Sequence, residues 1–209
     1  FGGKPDMAKH VLATFFKGEH GFSSAGQTRK LIRKIEDWDP DVIHLHNIHG
    51  FVLQTELLFS YLKKAGKPVV WTLHDCWPYT GHCAFYDYTG CEGWKSGCRN
   101  CREYRRTYPY AVFRNRTARN FERKKAAFTG VPCLTVVTPS RWLAGQVEQS
   151  FLGEYPVKVI PNGIDLENFS PGENDLREKL ELNGKYVILG VANAWERRKG
   201  PTYFLDLAQ

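Results

Sequence analysis

The sequence predicts an α/β protein built on a parallel sheet with helices on both faces, and three observations predict it. Short apolar runs rich in β-branched and aromatic residues recur at 41–46, 69–73, 134–138 and 157–160. Between them lie segments with apolar residues at helical spacing, and the links are short. Strand, helix, strand in this rhythm is how parallel strands are joined, because the chain must cross the sheet before running in the same direction again. The composition agrees. With 209 residues, 42% hydrophobic and 24% charged, the chain has enough apolar mass for a buried core.

Residues 1–26 are rich in Gly, Lys and aromatics without clear period, and read as loop with a short strand at 10–16. Leu31, Ile32 and Ile35 among Arg29, Lys30, Arg33 and Lys34 predict an amphipathic helix over 27–38. Asp39-Pro40 stops it, since a residue before proline is pushed out of the helical region. The strand 41–46 follows, then Gly50 opens a loop into a helix over 53–65 that Gly66 and Pro68 end. The strand 69–73 comes next. From 75 to about 109 the rhythm breaks into a Cys-, Gly- and aromatic-rich excursion. A basic helix over 115–128, a strand at 134–138, a helix over 141–151 and a strand at 157–160 complete a first domain, residues 1–161. Asn162-Gly163 turns the chain into a linker and charged helix over 162–184. The run YVILGVA (186–192) predicts a strand and 201–209 a helix, together the opening of a second domain over 185–209. One strand and one helix cannot form a core.

The net charge is +7, and it is concentrated. Residues 95–125 carry eleven Lys or Arg against Glu103 and Glu122, which leaves the rest slightly acidic. Such a patch fits an anionic partner, whether a phosphorylated substrate, a lipid headgroup or nucleic acid, or else a solvated helix face. Tyr104, Tyr108, Tyr110, Phe113 and Phe121 interleave with the cations, which suits single-stranded nucleic acid or an anionic membrane surface. No apolar stretch approaches the roughly 20 residues that span a bilayer, and the N-terminus carries Lys4 and Asp6 without an apolar leader. The chain begins at Phe1, as expected of a piece of something longer or of a processed form.

Five of the six cysteines fall between 76 and 101. Cys83, Cys91, Cys98 and Cys101, ending in a CxxC pair, have the donor set for a tetrahedral structural Zn²⁺, with Cys76 or His82 able to replace one ligand. Reduced thiols and a disulfide are the other readings.

Polar chemistry gathers at strand ends. His44, His46, Asn47 and His49 sit at and beyond the end of one strand, and His74-Asp75 closes the next. Open parallel sheets bind ligands outside the carboxyl ends of their strands. Alternation points His44 and His46 to one face, although each residue singly could do no more than satisfy backbone groups in its turn. Further on, Arg197, Arg198 and Lys199 follow a strand and precede a helix, a setting for a phosphate or diphosphate.

Together PDVIHLHNIHGF (40–51), VVWTLHDCWPYTGHC (69–83), VTPSRWLAGQVEQSF (137–151), VIPNGID (159–165) and ERRKG (196–200) resemble the family 4 glycosyltransferases, retaining enzymes of the two-domain GT-B fold, in their bacterial exopolysaccharide and colanic-acid branch. The resemblance runs from about Leu31 to the end of the chain. It implies an acceptor-side Rossmann-like domain, an interdomain linker and the start of a donor-side domain, in a fragment inactive alone. It implies a nucleotide-sugar donor, a glycan or lipid-linked acceptor and no catalytic metal. It also implies a cytoplasmic location, peripheral on the inner face of the plasma membrane, with nucleic acid disfavoured as a partner. His74 matches the family's active-site histidine and Lys199 its donor-diphosphate lysine. The partner arginine falls to Arg197 or Arg198, because Asn193 stands at its usual place. Asp75 is expected to hold the His74 ring. The competing reading is a zinc-organised basic module that binds nucleic acid or another anionic partner.

Overall fold

The computed structural model describes residues 3–172 and 175–208. They fall into two compact units, Phe1–Asn162 and Gly163–Gln209. In the first unit, α1 (Lys4–Leu12) runs into a wider π-helical turn, Ala13–Lys17, before α2 (Ala25–Trp38). Then come β1 (Ile43–His46), α3 (Thr55–Ala65), β2 (Val69–Thr72), α4 (Thr117–Phe128), β3 (Leu134–Thr138), α5 (Arg141–Glu148) and β4 (Val157–Val159).

The four strands form one parallel sheet in the order β1-β2-β3-β4. Each crossover carries a helix, as parallel pairing requires. β2 and β3 are central and buried along nearly their whole length, whereas β1 alternates between buried and exposed. Parallel sheets covered on both faces produce this contrast between continuous apolar centre and alternating edge.

The core is aromatic. Trp71 of β2, Phe59 of α3 and Phe128 of α4 meet with ring centroids 4.5 to 5.1 Å apart, all within 1% of complete burial. Tilted ring contacts of this kind add about 0.5–1.5 kcal/mol beyond the buried area. Local signals set the helix ends. The Gln54 side chain accepts from the Leu57 N–H at the start of α3, and Gly66 ends it at φ 66°. The Ser140 hydroxyl accepts from the Leu143 N–H at the start of α5.

Two expected strands are absent. Residues 10–16 are helical: Pro5 sits in the first turn of α1 with Asp6, and no ladder among the described residues includes them. His10 and Thr14, one turn apart, are the side chains this segment buries. In the second unit, residues 186–192 form no strand, while α6 (Leu176–Lys179) and α7 (Pro201–Leu207) are formed. A strand needs a neighbour for its backbone groups, and the described residues of this unit offer none. Its apolar side chains stay in solvent, Tyr186 at 93% and Val191 at 86% exposure. A small cluster forms instead, with Trp195 edge-on to Phe204 over Gly190, where a side chain would strike both rings.

Candidate active site at the strand ends

β1 and β2 end side by side, and their register brings the histidines together. His46 pairs with Thr72, so His74 lies two residues beyond the last pair. Ile43 and Leu45 enter the core while His44 and His46 are exposed on the opposite face, as alternation predicts. His44 Nε2 lies 2.8 Å from the Thr72 hydroxyl, and His46 Nδ1 lies 3.0 Å from His74 Nε2. The rings of His46 and His74 stack at 5.3 Å, and His44 lies 4.2 Å from His46. A row of three imidazoles therefore caps the two strands. In the His46–His74 contact one nitrogen donates and the other accepts, so the tautomer of one ring fixes that of the other. Desolvation, with His44 and His74 close by, lowers the pKa of His46 and favours its neutral form.

Asp75 does different work from that expected. Its Oδ2 is 2.9 Å from His49 Nε2, and its Oδ1 accepts the Trp77 N–H at 2.9 Å. The ring that Asp75 holds is thus that of His49, and His74 is positioned by His46. The cause is alternation: Asp75 follows His74 and turns inward, where His49 returns from the loop. Asn47 makes that return possible at φ 35°, a region tolerated by Asn better than by most residues. Asn47 itself is exposed, and His49 is buried against Trp77 with centroids 5.0 Å apart.

Behind this pair lies a buried polar layer that the sequence reading missed. His20 is 5.8 Å from His49 and 5.6 Å from Trp77 by ring centroids, and its Nδ1 is 3.2 Å from the Thr14 hydroxyl. Burial, followed by the neighbouring His49, His10, Lys124 and His82, pushes its pKa well down. Lys124 of α4 is 1% exposed and donates to the carbonyls of Trp77 and Thr80 at 2.6 and 3.0 Å, with its Nζ 3.5 Å from the Trp77 ring centroid. The sequence did contain a signal for Lys124. The buried stripe of α4 runs through Thr117, Asn120, Phe121, Lys124, Ala127 and Phe128, so helical spacing alone places this lysine inward.

A profile described as Glycosyltransferase Family 4 matches residues 3–168. The chain belongs to glycosyltransferase family 4. It is 34% identical over 161 residues to a protein of Escherichia coli K12 assigned as the colanic acid biosynthesis glycosyl transferase WcaC, covering 74% of this chain and 38% of that one. It is also 34% identical over 67 residues to an Escherichia coli UDP-Gal:alpha-D-GlcNAc-diphosphoundecaprenol alpha-1,3-galactosyltransferase, covering 30% and 17%. The chain thus spans well under half the length of these relatives. No solved structure matches it significantly.

In this family 4 chain the strand-end row and the Asp75–His49 pair belong to the first unit. Arg197, Arg198 and Lys199 form a single helical turn in the second unit, closed by Gly200 at φ 67°. Arg198 pairs with Glu196 at 3.1 Å, and Arg197 and Lys199 are exposed.

The basic stretch 95–125 is not one solvated face. Arg116 pairs with Glu19, Arg123 makes two 2.7 Å bonds to Glu56, and Lys124 is buried. Arg102, Arg105, Arg106 and Arg114 stay exposed. The cysteine excursion lies over α4, where Cys83, Cys91, Cys98 and Cys101 all line one cavity of about 220 Å³. Cys76 is buried elsewhere in the core, and burial pushes its thiol up to about 12. Among the described residues, no three His, Cys, Asp or Glu side chains already stand at metal-holding distance, so the zinc site read from the sequence is not preformed. No helix among the described residues is long and apolar enough to cross a membrane.

Proposed function

We propose that the protein to which this chain belongs transfers a sugar from a nucleotide donor to a glycan or lipid-linked acceptor in cell-surface polysaccharide synthesis, retaining the anomeric configuration. The observation that carries this reading is the row His44, His46 and His74 at the carboxyl ends of adjacent parallel strands of a family 4 domain. A sugar presents hydroxyls that both donate and accept, and a neutral imidazole offers one of each. His74 is exposed at the end of the row, so it meets the sugar and the acceptor hydroxyl, and His46 fixes its ring. Asp75 and His49 form the wall beneath, and Asn47 lies at the rim. In the second unit, which we read as the start of the donor-side domain, Lys199 with Arg197 or Arg198 offsets charge on the departing diphosphate. These steps ask for positioning and charge compensation, and call on no catalytic metal. The chain alone, holding little of the donor side, is inactive.

The acceptor class is supported by the galactosyltransferase relative, whose name specifies a diphosphoundecaprenol-linked sugar. A surface for an anionic bilayer is at hand on the first unit. Phe15, Phe16, Tyr110 and Phe113 are 41 to 62% exposed, and Phe16 stacks on Phe113 at 5.1 Å. Val112 donates to the Phe15 carbonyl, and Arg105 to the Val112 carbonyl, so exposed arginines border the aromatic patch. Aromatic side chains with flanking cations suit the headgroup region, consistent with a peripheral protein on the inner face of the plasma membrane. A nucleic-acid module finds no comparable support, since it gives the strand-end row no task.

The test is a transfer screen of the full-length protein with UDP- and GDP-sugars and polyprenyl-diphosphate acceptors, the product anomer read by NMR. Retained-anomer product is expected, with cosedimentation on anionic vesicles. No transfer and no donor hydrolysis across the screen would overturn the reading.

A further inference from the structure

We propose that the cavity lined by Cys83, Cys91, Cys98 and Cys101 is a structural zinc site that closes when the four thiols lose their protons to the cation. The site binds Zn²⁺ as Zn²⁺ + 4 RSH → [Zn(SR)₄]²⁻ + 4 H⁺, with no oxidant or reductant involved. Four independent features of the fold prepare it.

First, one 19-residue stretch folds so that all four cysteines line one cavity. Cys91 borders the cavity at Gly93, where a side chain would meet its sulfur at 3.4 Å.

Second, outer groups already donate to the sulfurs. The Gly81 N–H reaches Cys98 Sγ at 3.1 Å, and the Thr107 hydroxyl reaches Cys83 Sγ at 3.2 Å. Donors of this kind orient thiolate ligands and stabilise their charge. Gly81 is needed for the approach, because a Cβ there would lie 2.2 Å from the Thr117 carbonyl oxygen and 2.8 Å from Cys98 Cβ.

Third, the fold buries the Lys124 amine with no carboxylate bonded to it. Its Nζ donates to the Trp77 and Thr80 carbonyls, and desolvation pushes its pKa well down, against the opposing pull of Cys98, Asp75 and Cys83. Burying an ammonium is expensive unless an anion lies near. A tetrathiolate zinc centre, carrying two negative charges, supplies that anion, and Arg99 and Arg102 line the cavity on its outer side.

Fourth, His82 lines the same cavity and its buried Nε2 has no partner among the described residues. A bound centre gives that nitrogen either a ligand role or a sulfur to donate to.

The experiment is metal analysis of the full-length protein, expressed with zinc and purified without chelator. About one zinc per chain is expected. Replacement by Co²⁺ is expected to give the thiolate-to-metal charge-transfer band and intense d–d absorption of a tetrahedral sulfur site. Cys98→Ser and Cys101→Ser are expected to lower zinc content at least tenfold, while Cys133→Ser, an exposed cysteine outside the cavity, leaves it unchanged. If the cavity variants fail to fold, zinc content and the cobalt spectrum of the unmodified protein decide alone. Less than a tenth of an equivalent of zinc with no charge-transfer band would overturn the proposal. So would a Cys83–Cys101 disulfide in mass spectra of protein alkylated at lysis without added reductant.

Discussion

The seven histidines divide into two populations, and the division separates chemistry from architecture. His44, His46 and His74 are exposed in a row at the strand ends, bonded to one another and to Thr72. His10, His20, His49 and His82 are buried, His10 on α1 and the others in loops. The exposed rings can exchange protons and hydroxyl contacts with a ligand. The buried rings hold the walls: His10 accepts the Gly21 N–H at 3.0 Å, and His49 pairs with Asp75. Asp75 is where the populations touch, because its backbone follows His74 while its carboxylate belongs to the buried set.

Breaking each population in turn tests the division. The largest effect is expected at His74. In the full-length enzyme, His74→Ala is expected to lower transfer about 10²–10⁴-fold, the range of a positioned acid–base or orienting group. Donor binding and Tm stay near the unmodified values, because the ring is exposed. Unchanged turnover, measured with saturating donor, would remove His74 from the site.

The next effect is structural. Lys124→Met keeps the stem of the side chain and strands the Trp77 and Thr80 carbonyls, at a cost of about 1–3 kcal/mol. Chemical denaturation reads this directly. A variant as stable as the parent would mean that the buried Lys124 amine is no structural element.

The smallest effect is graded with pH. His10 is pulled down from 6.5 to about 4 by desolvation, and His20 also falls well below 6.5. The unfolded chain therefore binds more protons than the folded one between about 6.5 and about 4, and stability rises with pH across that window. Equivalently, the contribution present above pH 6.5 is lost as pH falls towards 4. Tm is expected to drop by several degrees on acidification through this range, and less in His10→Gln. Equal slopes in both proteins would show that His10 does not behave as a buried neutral ring.

Much of this was legible in the residues. Apolar runs with β-branched side chains located all four strands of the sheet, because burial on both faces leaves a continuous signature at β2 and β3. The meeting of His46 and His74 at the ends of neighbouring strands was legible as well, since both close runs that read as strands. The exceptions share a cause. Residues 10–16 and 186–192 were read from local composition, whereas a strand exists only where a neighbour accepts its backbone groups. Lys124 was read as part of a basic patch, although its place in the apolar stripe of α4 already pointed inward.

The sequence by itself determined the parallel α/β fold, the order of the four sheet strands and the helices between them, and the set of groups available for chemistry, because periodicity and residue type are local properties. Only the tertiary structure decided which group serves which. It gave Asp75 to His49, joined His74 to His46, buried Lys124 beside Trp77, and drew four cysteines from a 19-residue stretch around one cavity. Those pairings depend on strand register and on where the loops return, and neither is written at any single position in the chain.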